Sequence, residues 1–148
     1  MKELEYDKTS ALLTSKNQYQ GNYKRVLCVC SAGLLRSATA AFVLSNEPFN
    51  YNTRNCGTEH YALIPITEVL IYWADEIVCM SELQEEKINK LVKSINESDL
   101  CISGLPVIIK KPIINLNIPD VFSYRDPRLI ELIQQNYPIK LEESLRNV

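Results

Sequence analysis

The chain has 148 residues, enough for one domain that buries a core. Its 46% hydrophobic and 23% charged content is that of an ordinary globular protein. A net charge of −2 gives no bulk electrostatic reason to expect a nucleic-acid or membrane partner.

Residues 1–23 are polar, with one helical stretch at Ser10–Lys16, and are predicted to form an extension ahead of a domain spanning 24–148. From there apolar β-branched runs alternate with helical patterns. Strands are predicted near 24–30, 51–56, 76–80 and 112–118. Helices are predicted near 36–46, 62–73 and 81–95, with a last helix from about 127 that Pro138 kinks or ends, leaving Leu141–Leu145 as a tail turn. The stretch 96–111 is broken by Gly104 and Pro106 and is longer than a connection needs. Alternating strands and helices predict an α/β fold with a parallel sheet and right-handed crossovers. Ligands of such sheets sit outside the carboxyl ends of the strands.

The charged start Met1–Lys8 lacks the apolar core of a signal peptide. The apolar run from Ala62 to Met80 is interrupted by Pro65, Thr67, Glu68, Asp75 and Glu76, which argues against a membrane span. Five cysteines without metal-ligand spacing fit a reducing compartment, so a cytoplasmic location is expected. With one histidine, no metal or other cofactor is expected. Cys28, Cys79 and Cys101 read as core residues. Cys56 ends the second strand beside the first, where simple burial and an oxidative disulfide with Cys30 are both open.

The chemistry concentrates in Cys30-Ser31-Ala32-Gly33-Leu34-Leu35-Arg36-Ser37. With five cysteines in 148 residues, a Cys-x5-Arg spacing arises by chance about 0.2 times, so spacing alone decides little. Context decides more. Arg25-Val26-Leu27-Cys28-Val29 reads as a buried strand, and Ser37–Leu44 as the first turns of a buried helix. A strand, a tight loop and a helix N-terminus converge backbone N–H groups on an anion. A helix N-terminus and an adjacent arginine favour a thiolate, which makes Cys30 the candidate nucleophile. Arg36 offers a planar fork for two phosphoryl oxygens. Gly33 can turn loop amides inward, and Ser37 can cap the helix or donate to the thiolate. The whole loop, Ser31 through Ser37, is the candidate phosphate cradle, and phosphate or sulfate fits it.

The chain resembles the low-molecular-weight protein tyrosine phosphatases, in their short bacterial and phage branch, from about Lys24 to about Gln135. Four stretches carry the resemblance: Val26–Ser37; Asn55-Cys56-Gly57-Thr58; Trp73–Met80; and Ile118-Pro119-Asp120-Val121-Phe122. It implies a three-layer α/β/α fold with a four-stranded parallel sheet in the order 2-1-3-4. It also implies phosphomonoester hydrolysis through a phosphocysteine without metal, on a phosphotyrosine protein or a small aryl or alkyl phosphate. The chain departs from the family at Gly33, where an asparagine usually buttresses the loop. It departs again at Ala38 (often proline), Ala41 (often acidic) and Leu35 (often a second, redox-guarding cysteine). These positions bear on loop rigidity, turnover and protection from oxidation.

Expelling a phenolate, whose conjugate acid has a pKa near ~10, calls for a general acid. Asp120 and Asp126 compete for that role. Asp126 precedes Pro127 at a helix start and has a structural explanation as an N-cap. Asp120 has none, and the resemblance places the acid there, followed by an aromatic wall, so Asp120 is preferred and Asp126 is the alternative. Leu34, His60, Tyr61, Phe122 and Tyr124 are candidate pocket residues, with ordinary packing as the alternative for each.

Three rival functions remain open. A phosphate-binding or regulatory module with weak turnover is motivated by Gly33 and Ala38. A phosphatase of small-molecule or nucleotide esters is equally compatible with a loop that reads only the phosphate. An arsenate reductase is disfavoured, because Cys79 has no cysteine after it until Cys101 to relay a disulfide.

Overall fold

Five consecutive residues, Val26 to Cys30, are buried in the first strand, β1 (Arg25–Cys30), in the computed structural model, which describes residues 23–98 and 110–146. The extension over 1–22 with its helix, Cys101 and the body of the 96–111 connection lie outside the described residues. Continuous burial on both sides is the signature of a central parallel strand covered on two faces. β1 pairs in parallel with β2 (Asn52–Gly57) and β3 (Glu76–Cys79), and β3 pairs with β4 (Ile113–Asn115). The order is β2-β1-β3-β4, as expected.

Strand alternation divides the core into two layers. Val26, Cys28, Cys30, Val78 and Ile114 face α1 (Arg36–Leu44) and α4 (Pro127–Arg146), meeting Ala40, Leu44, Leu129, Ile133 and Tyr137. Leu27, Val29, Cys56, Ile77 and Cys79 face α2 (Glu68–Trp73) and α3 (Glu82–Ser98), meeting Ile71, Ile88 and Ile95. No helix among the described residues is long and apolar enough to cross a membrane. At the end of the sheet away from the Cys30 loop, the buried Glu76 pairs with Lys24 at 2.6 Å and accepts a hydrogen bond from the Tyr137 hydroxyl at 2.6 Å.

Several predicted bounds move. The helix expected over 62–73 begins only at Glu68, because the chain before it pairs with the end of β2 instead. Gly57 N–H donates to Ile64 and Ile66 N–H donates to Gly57, while the Thr67 hydroxyl caps the helix by accepting from Leu70 N–H. Pro138 does not end the last helix, which continues to Arg146, and Leu141–Leu145 is helical rather than a tail turn. A mid-helix proline costs about 3 kcal/mol. Tyr137 before it and Leu141 after it both pack on the core, so burial of the apolar face offsets that cost. The fourth strand stops at Asn115, where the side-chain oxygen accepts from Asn117 N–H and Asn117 takes a φ of 52°.

Of the two readings open for Cys56, burial is the one observed, and a disulfide with Cys30 does not fit this sheet. Cys56 is in register with Val29 and shares its face, whereas Cys30 belongs to the opposite layer.

Candidate active site

The loop Ser31–Leu35 leaves the carboxyl end of β1 and enters α1 at Arg36. Its path is fixed from three sides. Thr58 and Glu59, just beyond β2, donate backbone N–H groups to the carbonyls of Cys30 and Ser31 at 2.9 and 3.0 Å. Gln84, on the first turn of α3 and buried, accepts from Met80 N–H at 2.8 Å and donates its amide to Ser31 Oγ at 3.3 Å. Asn55 on β2, also buried, donates its amide to the Gly33 carbonyl at 2.5 Å.

Two glycines permit this approach. Gly33 takes φ +74°, a left-handed conformation in which side chains are strained, and a Cβ there would sit 2.9 Å from the Cys56 backbone carbon. At Gly57 a Cβ would lie 2.4 Å from the Ser31 carbonyl oxygen. Loop and β2 are in backbone contact, so neither residue has room for a methyl.

Inside the loop, Cys30 is 3% exposed. Gly33 N–H donates to its sulfur at 3.1 Å, and the Ser37 hydroxyl is hydrogen-bonded to the same sulfur at 3.1 Å. Of the two roles open to Ser37, the bond to the sulfur is the one formed. α1 has no side-chain cap at Leu35 and no acidic residue in its first turn, so its N-terminal dipole is not neutralised locally. Burial, reinforced by the Glu76 charge, pushes the Cys28 thiol far up. Burial likewise raises Cys56 well above the usual thiol range, and burial with the Glu85 charge lifts Cys79 to about 12.

Arg36 is 5% exposed. Its Nη1 donates to the Ile118 carbonyl at 2.9 Å, and its Nε lies 3.6 Å from Asp120 Oδ1. The Asp120 side chain is 63% exposed. The segment after β4 thus brings a carbonyl and a carboxylate to the same guanidinium.

Asp126 is differently placed. It accepts from Arg128 N–H at 2.9 Å at the start of α4, and its other oxygen is 3.0 Å from Arg128 Nη2. The bonds from Arg128 hold its carboxyl below the usual carboxylate range.

Leu34 is half-buried beside the loop, while His60 and the 63% exposed Tyr61 stack edge-on in the segment following Thr58 and Glu59. Phe122 is half-buried against the α1–α4 layer, and Arg128 lies 5.5 Å from its ring centroid. Tyr124 is half-buried, with the Arg125 guanidinium 5.0 Å from its ring.

Asn55 and Gln84 were not among the expected site residues. Ser81-x-x-Gln84 is a capping-box pattern that marks a helix start, but nothing local signals that the same glutamine reaches back to the Cys30 loop. Asn55 carries no local signal of its contact either, since its partner is 22 residues away.

The chain matches no protein-family model and no curated protein. Its structure is similar to that of the tyrosine phosphatase Wzb from Escherichia coli K30, solved in complex with phosphate, with a TM-score of 0.56 and 14% sequence identity. The match covers 82% of this chain and 98% of that one. At that identity the likeness is one of fold: the four-stranded parallel α/β architecture of this chain is that of a solved tyrosine phosphatase.

Proposed function

We propose that the chain is a phosphomonoester hydrolase: a cysteine-dependent protein tyrosine phosphatase of the low-molecular-weight type, working through a phosphocysteine. One observation carries this reading. A buried cysteine sulfur accepts a backbone N–H and is hydrogen-bonded to a serine hydroxyl in a loop closed by a buried arginine, with a carboxylate at that arginine. The likeness to a phosphatase solved with phosphate supports it from the side of the fold.

The Ile118 carbonyl on Nη1 orients Arg36, leaving its Nε/Nη2 edge as the fork for two phosphoryl oxygens. Asp120 stands at that edge, and an incoming phosphate displaces it to the side of the ester oxygen. Cys30 Sγ attacks phosphorus in line, the S–P bond forms and the P–O bond breaks, and Asp120 delivers a proton to the leaving oxygen. Arg36 and loop amides hold the three equatorial oxygens throughout. Water, deprotonated by Asp120, then attacks phosphorus. The S–P bond breaks with its electron pair on sulfur, where Gly33 N–H and the Ser37 hydroxyl receive it. Asp126, tied to Arg128, is poorly suited to hold a proton for transfer.

Hydrolysis of an aryl phosphate in the presence of a chelator tests the reading. Wild type is expected to turn over, Cys30→Ser to be inactive, Asp120→Ala to lose about 10²–10⁴-fold, and Asp126→Ala to stay within a few-fold. Full activity in Cys30→Ser would refute the nucleophile, and loss in Asp126→Ala with none in Asp120→Ala would reverse the acid.

A further inference from the structure

We propose that Asn55 is a positioning residue for this loop: by pinning the Gly33 carbonyl to β2, it aims the Leu34 N–H at the oxyanion. The proposal rests on the phosphatase reading above and adds a residue outside the Cys-x5-Arg segment to the machinery.

The peptide between Gly33 and Leu34 links the two groups. A trans peptide is planar, so its C=O and N–H point in opposite directions. The Gly33 carbonyl is held on the β2 side by Asn55 Nδ2 at 2.5 Å. The Leu34 N–H therefore points away from β2, to the inner side of the loop. On the other side of the same residue, Gly33 N–H is already committed to Cys30 Sγ at 3.1 Å. Two successive peptide N–H groups are thus turned inward, one to the nucleophile and one to the space beside it, where an equatorial oxygen sits during attack.

Gly33 needs such a restraint because it is the loop's most pliable residue. Its φ of +74° lies in a region glycine enters without preference, so the residue itself does not hold the turn. Asn55 is suited to the task by its own rigidity. It lies within β2, in register with Cys28 of β1, and is 2% exposed. A buried amide there is costly to desolvate unless it is bonded, and a Gly33 carbonyl deprived of it would be a buried orphan. Strand β2 thereby transmits the register of the sheet to the anion site.

The test separates positioning from simple stability. Thr53, two residues earlier on the same strand face, donates its hydroxyl to the Ala41 carbonyl at 2.8 Å and does not touch the loop. Thr53→Ala therefore removes a buried hydrogen bond from β2 and serves as the stability-matched control. Asn55→Ala and Asn55→Asp both delete the donor, one emptying its volume and one keeping it, so that the failure of either to fold leaves the other to decide. Asn55→Ser supplies a shorter donor. Two readouts are taken at equal fraction folded: kcat and KM on an aryl phosphate, and protection of Cys30 from iodoacetate by inorganic phosphate, which needs no turnover. A preorganised donor to a developing oxyanion is worth about 10²–10³ in kcat. Misaligning one is expected to lower kcat by about 10-fold or more, to raise the phosphate concentration needed for protection, and to be partly reversed in Asn55→Ser. Thr53→Ala is expected to lower the melting temperature alone. Active, phosphate-protected wild type with equally active and protected Asn55→Ala or Asn55→Asp overturns the proposal and leaves the phosphatase reading standing. Wild type with neither hydrolysis nor protection overturns the phosphatase reading, and this proposal with it.

Discussion

Gly33→Ala is the sharpest single test of the loop geometry. An alanine at φ +74° carries about 1–2 kcal/mol of left-handed strain. Its methyl would also stand 2.9 Å from the Cys56 carbonyl carbon, 3.0 Å from Gly57 N and 3.2 Å from the Cys56 oxygen. All three are backbone atoms of β2, which is bonded to β1 along six residue pairs and cannot recede alone. The loop must therefore move, taking Gly33 N–H off the Cys30 sulfur and the Gly33 carbonyl off Asn55. The expected destabilisation is about 2–4 kcal/mol, strain and overpacking together, read as a lower urea midpoint with unchanged slope. Turnover on an aryl phosphate should fall further than stability does, because a donor to sulfur and an aimed amide are lost together. Gly33→Asn, the residue the family resemblance suggests here, relieves the φ strain but meets the same backbone atoms, and it should be destabilised as well. An alanine variant with wild-type midpoint and wild-type kcat would refute the contact geometry on which the loop description rests.

Two further outcomes follow from contacts outside the Cys-x5-Arg segment's own backbone, one at the loop and one at the far end of the sheet. Gln84→Ala leaves Met80 N–H buried without its acceptor and Ser31 without its tether; the expected cost is about 1–3 kcal/mol in urea unfolding, with kcat/KM lowered by a smaller factor than in Asn55→Ala. Tyr137→Phe tests the far end of the sheet. Burial, together with the Glu76 charge, raises the Tyr137 hydroxyl far above its ordinary value, so its contribution is complete below the unfolded-state pKa of about 10 and declines as pH rises past it. The variant should be about 1–3 kcal/mol less stable at pH 8, and its deficit should shrink by about 1.4 kcal/mol per pH unit above pH 10. A deficit that stays constant from pH 8 to 11 would show that Tyr137 does not titrate between the two states.

Sequence periodicity reached the strands and both ends of the Cys30 loop because those features are local, whereas the sheet order came from the family resemblance. Val26–Val29 is apolar on both faces, and only a central parallel strand needs that. Bounds failed where non-local bonding overrides pattern. Residues 62–67 are apolar enough for a helix turn, yet Gly57 exchanges backbone hydrogen bonds with Ile64 and Ile66 and draws that stretch to the sheet. Pro138 breaks a helix by propensity, yet Tyr137 and Leu141 on either side are both packed. Cys56 looked close to Cys30 because the strands are neighbours. The parity of the register puts its thiol on the other face, since a one-residue offset in a strand reverses the side. Asn55 and Gln84 were illegible for the same reason: a single buried amide acquires meaning only when the distant backbone it meets is known.

The two aspartates show how such geometry separates residues that composition leaves equal. Asp126 spends both oxygens on Arg128, one on its backbone N–H and one on its guanidinium, and so starts α4. Asp120 makes one long contact, 3.6 Å to Arg36 Nε, and is otherwise exposed. In the proposed mechanism the acid gives up a proton and later takes one back, which needs a contact weak enough to exchange, within reach of the guanidinium proposed to hold the phosphate. The Ile118 carbonyl, two residues before Asp120, supplies that reach by holding Arg36 Nη1 at 2.9 Å. A short segment after β4 therefore sets the arginine's orientation and the carboxylate's distance at once. Displacing it, for example by lengthening the chain between Ile118 and Asp120 with one inserted glycine, should lower turnover about as much as Asp120→Ala while phosphate protection of Cys30 persists. Retained turnover in the insertion variant would separate the acid from this segment and return Asp126 to consideration.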